Sequence, residues 1–418
     1  MHTLYNFAMY LVKGVLPLVA LFSSKLRLFV SGRKRVYDEL SKLSGAPVIW
    51  LHAASLGEYE QGVPVIEQLQ KAYPKYEWVI TFFSPSGYEV KKDNAFAKAC
   101  TYLPLDTPAA AQKFVQTVNP ALAIFVKYEF WPNYLNALKA NHIPTLLLSG
   151  VFRKSQPFFK SFGQWMVPSL EAFDYFFVQE KDSQILAEHL GFSNITVSGD
   201  TRFDRVSRQI EMDNTLDFVQ VFKGDSTLLV CGSTWPACDE VLIPFINERV
   251  AKSEKAFKCI IAPHQIKAEK IEQLSKRIQG TVVKYSAMTP NNLATADVLI
   301  VDTVGLLTKI YSYADLAYVG GAIGDTGLHN ILEPATFGIP ILIGPHFDKF
   351  PEAQRLRQLA GLYVIENTSD LKEIGDKLLD DKPFRKQTGM IAGHFINSNT
   401  GATRTVMQYI KDQQLLTP

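Results

Sequence analysis

What most constrains this chain is an alternation of short β-rich runs with amphipathic helical stretches, kept up along nearly its whole length. Apolar runs at 47–52, 78–82, 122–126, 145–148 and 175–178 are separated by segments with helical spacing, among them 62–72, 108–118 and 181–190. Helices of that length supply the crossover that adjacent parallel strands need, so the pattern specifies βαβ units and a mostly parallel sheet. The rhythm pauses near 206–226, where Asp, Asn, Gln and Lys dilute the apolar residues. It then resumes with runs at 227–231, 257–262, 281–284, 298–301, 316–319 and 340–343. The expectation is two doubly wound α/β domains joined by a linker near 205–225. A length of 418 residues fits two or three domains of ordinary size. Ligands of such sheets sit at the carboxyl ends of the strands, in this case in a cleft between the two domains.

Composition narrows the function. Apolar residues are 47% and charged residues 20%, enough for a sizeable core and not the balance of a disordered chain. With 43 Lys and Arg against 41 Asp and Glu, the net charge of +2 argues against a general nucleic-acid binder. Cys100, Cys231, Cys238 and Cys259 are scattered without a C-x-x-C pair, which speaks for a reducing compartment and against a zinc or disulfide framework.

The amino-terminal 35 residues read differently. From Leu4 to Val30 they are largely apolar and aromatic, broken by Lys13 and by Pro17. The uninterrupted stretch 14–22 falls short of the ~20 residues a spanning helix needs. Lys25, Arg27, Arg33, Lys34 and Arg35 follow it. An apolar segment followed by basic residues fits an interfacial anchor on an anionic leaflet.

Chemistry-bearing residues gather at strand ends. His52-Ala53-Ala54-Ser55-Leu56-Gly57-Glu58 follows the first strand; its small residues permit a tight turn, and Glu58 falls in the first turn of a helix. Glu58 reads equally as an ordinary first-turn acid or as a general base facing the cleft. Lys127-Tyr128-Glu129-Phe130-Trp131-Pro132-Asn133 ends another strand, with Glu129 suited to orient a base or bind a sugar hydroxyl. In Gly199-Asp200-Thr201-Arg202-Phe203-Asp204, Arg202 either meets an anion or pairs with Asp200 or Asp204.

The second half repeats the arrangement. Cys231-Gly232-Ser233-Thr234-Trp235-Pro236 is expected to open a helix whose N–H groups and hydroxyls suit a phosphate, or simply to cap it. His264 ends the next strand. The loop Gly320-Gly321-Ala322-Ile323-Gly324-Asp325-Thr326-Gly327-Leu328-His329-Asn330 is expected to open a helix around Asn330, with Glu333 one turn on and in reach of ribose hydroxyls. It is not a dinucleotide fingerprint, and neither a Walker A lysine pattern nor a G-x-S-x-G elbow occurs.

Taken in order, H-A-A-S-L-G-E, E-F-W-P-N, G-D-T-R-F-D, G-S-T, V-G-G and H-N-I-L-E-P-A-x-x-G-I-P resemble the bacterial Kdo transferases. Those enzymes move 3-deoxy-D-manno-oct-2-ulosonic acid from its CMP conjugate to a lipid A precursor. The H-N-x-L-E-P block alone marks a two-domain glycosyltransferase of the GT-B type; its combination with S-L-G-E and E-F-W-P-N is far more specific. The resemblance implies two Rossmann-like domains, an acceptor domain at 36–210 and a donor domain at 211–400. It also implies a carboxyl-terminal helix, 401–418, returning to the first domain. It implies Glu58 as catalytic base and Glu129 as the supporting acid, with Ser55 and Gly57 on the acceptor. Ser233, Thr234, His264, Gly327, His329, Asn330 and Glu333 would hold CMP-Kdo, and Arg202 an anion. No metal or other cofactor is expected, because a single CMP phosphate can be stabilised by N–H groups and basic side chains. Attack opposite CMP would invert the anomeric centre. The place of work would be the cytoplasmic face of the inner membrane, where the acceptor's acyl chains stay.

Three positions depart from the family's pattern. Its Pro-Arg-His segment reads Ala262-Pro263-His264-Gln265 here, Arg202 replaces a lysine, and Lys127 stands where an acidic residue is common. Two other classes remain compatible with the architecture: an enzyme acting on a UDP-sugar, whether transferase or epimerase, and a catalytically silent sugar-lipid binding protein.

Overall fold

The computed structural model describes residues 1–252 and 256–418. The chain divides into two compact units, Met1–Arg205 with Thr400–Pro418, and Val206–Asn399. In the first, β1 (Val48–Ala53), β2 (Glu77–Phe82), β3 (Ala99–Tyr102), β4 (Pro120–Val126), β5 (Thr145–Gly150), β6 (Tyr175–Val178) and β7 (Ile195–Val197) form one sheet. Its order is β3-β2-β1-β4-β5-β6-β7, with parallel pairing throughout the described residues. Helices cover both faces, so the strands are buried on both sides and read as continuous apolar runs rather than alternating ones. Trp50, Phe125 and Val79 pack on one face with Phe114 and Tyr134. Ile49, Leu51, Ile80 and Ile124 pack on the other with Val65 and Leu69.

The second unit repeats the plan. β8 (Thr227–Thr234), β9 (Phe257–Pro263), β10 (Val282–Lys284), β11 (Val298–Ile300), β12 (Leu316–Val319), β13 (Ile341–Ile343) and β14 (Leu362–Val364) pair in the order β10-β11-β9-β8-β12-β13-β14. Both units are Rossmann-like, the architecture of GT-B enzymes. In each, chain direction across the sheet reverses at one pair: β1 beside β4, and β8 beside β12. That switch point opens a crevice outside the strands' carboxyl ends.

Three local readings need correction. The expected linker near 205–225 contains the helix Asp217–Lys223, which buries Val219 and Phe222; its exposed polar face had masked the pattern. The helix expected to begin at Ser233 and Thr234 starts at Pro236, because β8 runs on through Thr234. The helix expected around Asn330 spans only Leu332–Thr336, and the Asn330 side chain already accepts the Leu332 N–H at 3.1 Å.

The termini both pack on the first unit. Val406, Ile410 and Leu416, from the helix Ala402–Asp412 and just beyond it, join the cluster around Ile49 and Leu51. Asp204 supplies the missing partners at that helix's start: its carboxylate accepts the Gly401 and Thr403 N–H groups at 2.5 and 2.6 Å and the Thr403 hydroxyl at 2.7 Å. At the amino end the helix His2–Val19 continues through a 3₁₀ turn, Ala20–Phe22, and the chain folds back as the helix Ser24–Lys34. Lys13 does not interrupt the first helix and Pro17 sits in its last turns. The stretch His2–Phe22, 21 residues, is therefore long and apolar enough to cross a membrane by length and composition.

Candidate active site

The residues singled out in the first unit collect at the β1/β4 switch point. Register pairs His52 with Phe125, so the turn after β1 and the turn after β4 emerge side by side. Glu58 lies in the first turn of the helix Leu56–Ala72, and its carboxylate folds back to accept the Ala54 and Ser55 N–H groups at 2.5 and 3.1 Å. Both bonds stabilise the anion, as does the nearby Lys127. Burial and the neighbouring Glu129 outweigh them and push the Glu58 carboxyl up to about 7. A first-turn acid that only capped its helix would be held low. Ser55 is the N-cap of this helix, and Gly57 has open space where a side chain would stand.

Glu129 is buried and held from beneath. Trp131 donates its indole N–H to Glu129 Oε2 at 2.9 Å, and His52 Nε2 lies 3.4 Å from the same oxygen. The Trp131 N–H is also 3.2 Å from His52 Nε2, and the shorter contact makes the carboxylate its acceptor. Thr81 holds the histidine from behind. Its hydroxyl accepts the Trp50 N–H at 2.9 Å, lies 2.9 Å from His52 Nδ1 and donates to the Leu51 carbonyl at 3.5 Å. His52 stands in the sequence motif after the first strand, where no role of its own was assigned to it; β1 in fact runs on through it to Ala53.

Around these acids stand cations. Arg202 pairs with Asp200, Nε and the terminal nitrogen reaching Oδ2 at 2.8 and 2.7 Å. Gln61, on the helix that carries Glu58, donates to Asp200 Oδ1 at 3.0 Å and ties this loop to the site. Lys127 has φ +73, left-handed backbone that costs a non-glycine residue energy and tends to be kept at functional sites. Its ammonium is 5.3 Å from the Tyr128 ring centroid, and the Arg153 guanidinium lies 5.5 Å from the same ring. Burial, then the charge of Arg202, lowers the Lys127 ammonium below its ordinary range.

In the second unit the selected residues meet at the β8/β12 switch point. Gly320 donates its N–H to the Gly232 carbonyl at 2.9 Å, and His264 donates to Thr234 at 2.9 Å. Gly320 must be glycine, because a Cβ there would strike the Ser233 carbonyl. Gly327, at φ +88, turns the loop back so that His329 donates its N–H to Gly320 at 3.1 Å. Ser233 itself takes φ +54 at the strand's end.

Trp235, His264 and His329 form an aromatic stack. Trp235 and His264 lie 4.4 Å apart and 23° from parallel, and His264 and His329 are 4.6 Å apart. The Trp235 N–H donates to His329 Nε2 at 3.1 Å. Burial, reinforced by His264, lowers His329 to about 4, so its imidazole is neutral. Glu333 accepts the Thr308 hydroxyl at 3.0 Å on one oxygen and the Asn330 amide at 3.1 Å on the other. Trp235 was read only as part of a helix start; the Trp-Pro pair after a strand, as at Trp131-Pro132, was the signal that could have found it.

Comparison with known proteins adds a family likeness. Residues 30–205 match the family model of 3-deoxy-D-manno-octulosonic-acid transferase (kdotransferase). The 3-deoxy-D-manno-octulosonic acid transferase of Haemophilus influenzae is 28% identical over 377 residues, covering 87% of this chain and 86% of that one. That of Aquifex aeolicus is 25% identical over 343 residues, covering 81% and 88%. Among solved structures, a UDP-GlcNAc 2-epimerase from Neisseria meningitidis bound to UDP-GlcNAc aligns with a TM-score of 0.61 at 14% identity, over 88% of this chain and all of that one (100%). At that identity the likeness concerns the fold alone. The matched model spans the loops that carry Glu58 and Glu129, and the relatives extend through the second unit. Residues 30–205 thus carry a Kdo transferase domain, the chain is similar to Kdo transferases along most of its length, and it is a glycosyltransferase with the GT-B fold.

Proposed function

We propose that this chain transfers Kdo from CMP-Kdo to a lipid A precursor, with inversion, as a step of lipopolysaccharide biosynthesis at the cytoplasmic face of the inner membrane. The observation that carries the mechanism is Glu58: a buried carboxyl raised to about 7, beside a second acid, at the switch point of the first unit. A sugar hydroxyl is a poor nucleophile, and a base that ionises near the working pH removes its proton as the bond to the anomeric carbon forms. A single attack from the face opposite CMP leaves the anomeric centre inverted.

The other residues take supporting roles. Glu129, oriented by Trp131 and His52, positions the acceptor and keeps Glu58 basic through its charge. Ser55 and Gly57 border the acceptor, and Gly57 leaves room for it. Arg202, its guanidinium set by Asp200, faces an anionic substituent. On the donor side, Ser233, Thr234 and the loop from Gly327 to Asn330 hold the CMP phosphate. His264 and His329 offer neutral ring surfaces, since burial lowers both. Glu333, its carboxylate oriented by Thr308 and Asn330, binds the ribose hydroxyls. The amino-terminal helices bring the protein to the lipid acceptor.

The test is Glu58→Gln, assayed with CMP-Kdo and a purified lipid A precursor. Loss of turnover by ~10²–10⁴-fold with CMP binding retained is expected. Turnover within a few-fold of the parent would remove Glu58 from the role, and transfer from a UDP-sugar instead would replace the donor.

A further inference from the structure

The helical stretch His2–Phe22 passes a length-and-composition test for a membrane span, yet its attachments argue for another geometry. Its first turns are clipped to the first unit. The Tyr5 hydroxyl donates to Asp106 Oδ2 at 2.7 Å, Asn133 donates to Asn6 Oδ1 at 2.9 Å, and the His2 ring stacks on Trp165 at 5.3 Å. The other end of the segment is clipped to the same unit. Arg33 donates to the Phe83 carbonyl at 2.9 Å, Phe29 packs edge-on against Phe83 at 5.3 Å, and Gly32 lies so close to Tyr102 that a Cβ would enter its ring. Arg33, one of the basic residues that follow the apolar stretch, is thereby buried and held inside, its guanidinium lowered to about 9 by desolvation.

Between the two clips the chain projects and returns. Leu4, Phe7, Leu11, Val15, Leu18, Val19 and Leu21 are exposed, and Phe22, at the turn, is 90% exposed. Apolar surface of that extent on nearly every side of a helix is unstable in water and stable in lipid. Lys25 and Arg27 follow Phe22 by only three and five residues. Three residues of helix rise about 5 Å, whereas the hydrocarbon core is ~30 Å thick. Lys25 and Arg27 must stay at the headgroups, so the turn beside them stays shallow. Lys13 reaches the same level by extending its stem.

We infer that residues 2–34 form a re-entrant hairpin lying in one leaflet of an anionic phospholipid membrane, entering and leaving from the side that holds the first unit. The partner is the lipid surface itself, recognised by the apolar turn Leu18–Phe22 and by the cationic Lys13, Lys25, Arg27, Lys34 and Arg35. This rests on the segment's own contacts and stands or falls separately from the identity of the sugar acceptor.

The four native cysteines are buried, so single introduced ones report cleanly. Full-length Thr3→Cys, Phe22→Cys and Lys71→Cys proteins, each altered at an exposed position, would be treated with a membrane-impermeant maleimide on spheroplasts and on inverted vesicles. Thr3→Cys and Lys71→Cys should react from one and the same side, and Phe22→Cys from neither. Reaction of Thr3→Cys from the side opposite Lys71→Cys would establish a span and overturn the inference. So would labelling of Phe22→Cys in the presence of the bilayer. A fluorophore on Phe22→Cys should be quenched several-fold more by a nitroxide near the headgroup than by one near the acyl terminus, and the reverse order would equally refute a shallow turn. Leu21→Asp with Phe22→Asp should weaken binding to phosphatidylglycerol-containing vesicles at least ten-fold; unchanged binding would mean the turn does not enter lipid.

Discussion

Two backbone N–H groups and the ammonium of Lys127 all favour the Glu58 anion, and still its carboxyl sits near 7, because burial and Glu129 act more strongly in the other direction. The sign fixes the pH dependence. Only the ionised form accepts a proton, so kcat/KM should rise with pH through about 7 and level off above it. Lys127→Ala removes a charge that lowers Glu58, and the rising limb should move to higher pH in that variant. A profile of the variant superimposable on that of the parent, or shifted to lower pH, would show that Lys127 does not act on Glu58. At this scale the acids were legible in the sequence because they stand in short motifs at strand ends. The balance of forces on them was not. His52, Thr81 and Trp50 come from two neighbouring strands and meet through side chains, a relation that spacing along the chain does not encode.

Strands were the most legible elements, since burial on both faces demands uninterrupted apolar runs. Helix boundaries were less so. Ser233 and Thr234 read as a cap because Ser and Thr favour that place, but β8 runs on past a register shift at Ser233 to pair Thr234 with Pro263 of β9. The helix Asp217–Lys223 escaped notice because only Val219 and Phe222 turn inward. Asp204 was quoted in its motif as a partner for Arg202. Its actual work is to cap a helix that begins almost two hundred residues later in the chain. Asp204→Ala leaves two N–H groups and a hydroxyl without their acceptor and should destabilise the first unit by about 1–3 kcal/mol. Urea unfolding followed by the indole signal of Trp50 and Trp78, both buried in that unit, would measure it. A midpoint equal to that of the parent would mean that water replaces the carboxylate at no cost.

Over the whole molecule, two α/β units were readable from periodicity, and the family likeness from motifs. The strand orders were not readable, because nothing local says which strands lie beside β1 or β8. Each unit has its own core, so the two should open separately in native-state hydrogen exchange. Leu342→Ala, in the second unit's core, should destabilise that unit by ~2–5 kcal/mol. Amides of Ala402–Asp412 should keep the protection of β1 and β4, while those of Lys382–Asn397 lose theirs. Joint loss in both helices would merge the units into one cooperative block.

The placing of Val406, Ile410 and Leu416 against Ile49 and Leu51 carries a consequence for biogenesis. During synthesis the amino-terminal sheet leaves the ribosome first, with a patch of its apolar surface uncovered until the whole of Val206–Asn399 has been made. The nascent chain must keep that seam from sticking to its neighbours while a second sheet is assembled. A stalled or prematurely terminated chain would therefore offer chaperones and proteases an unfinished first half.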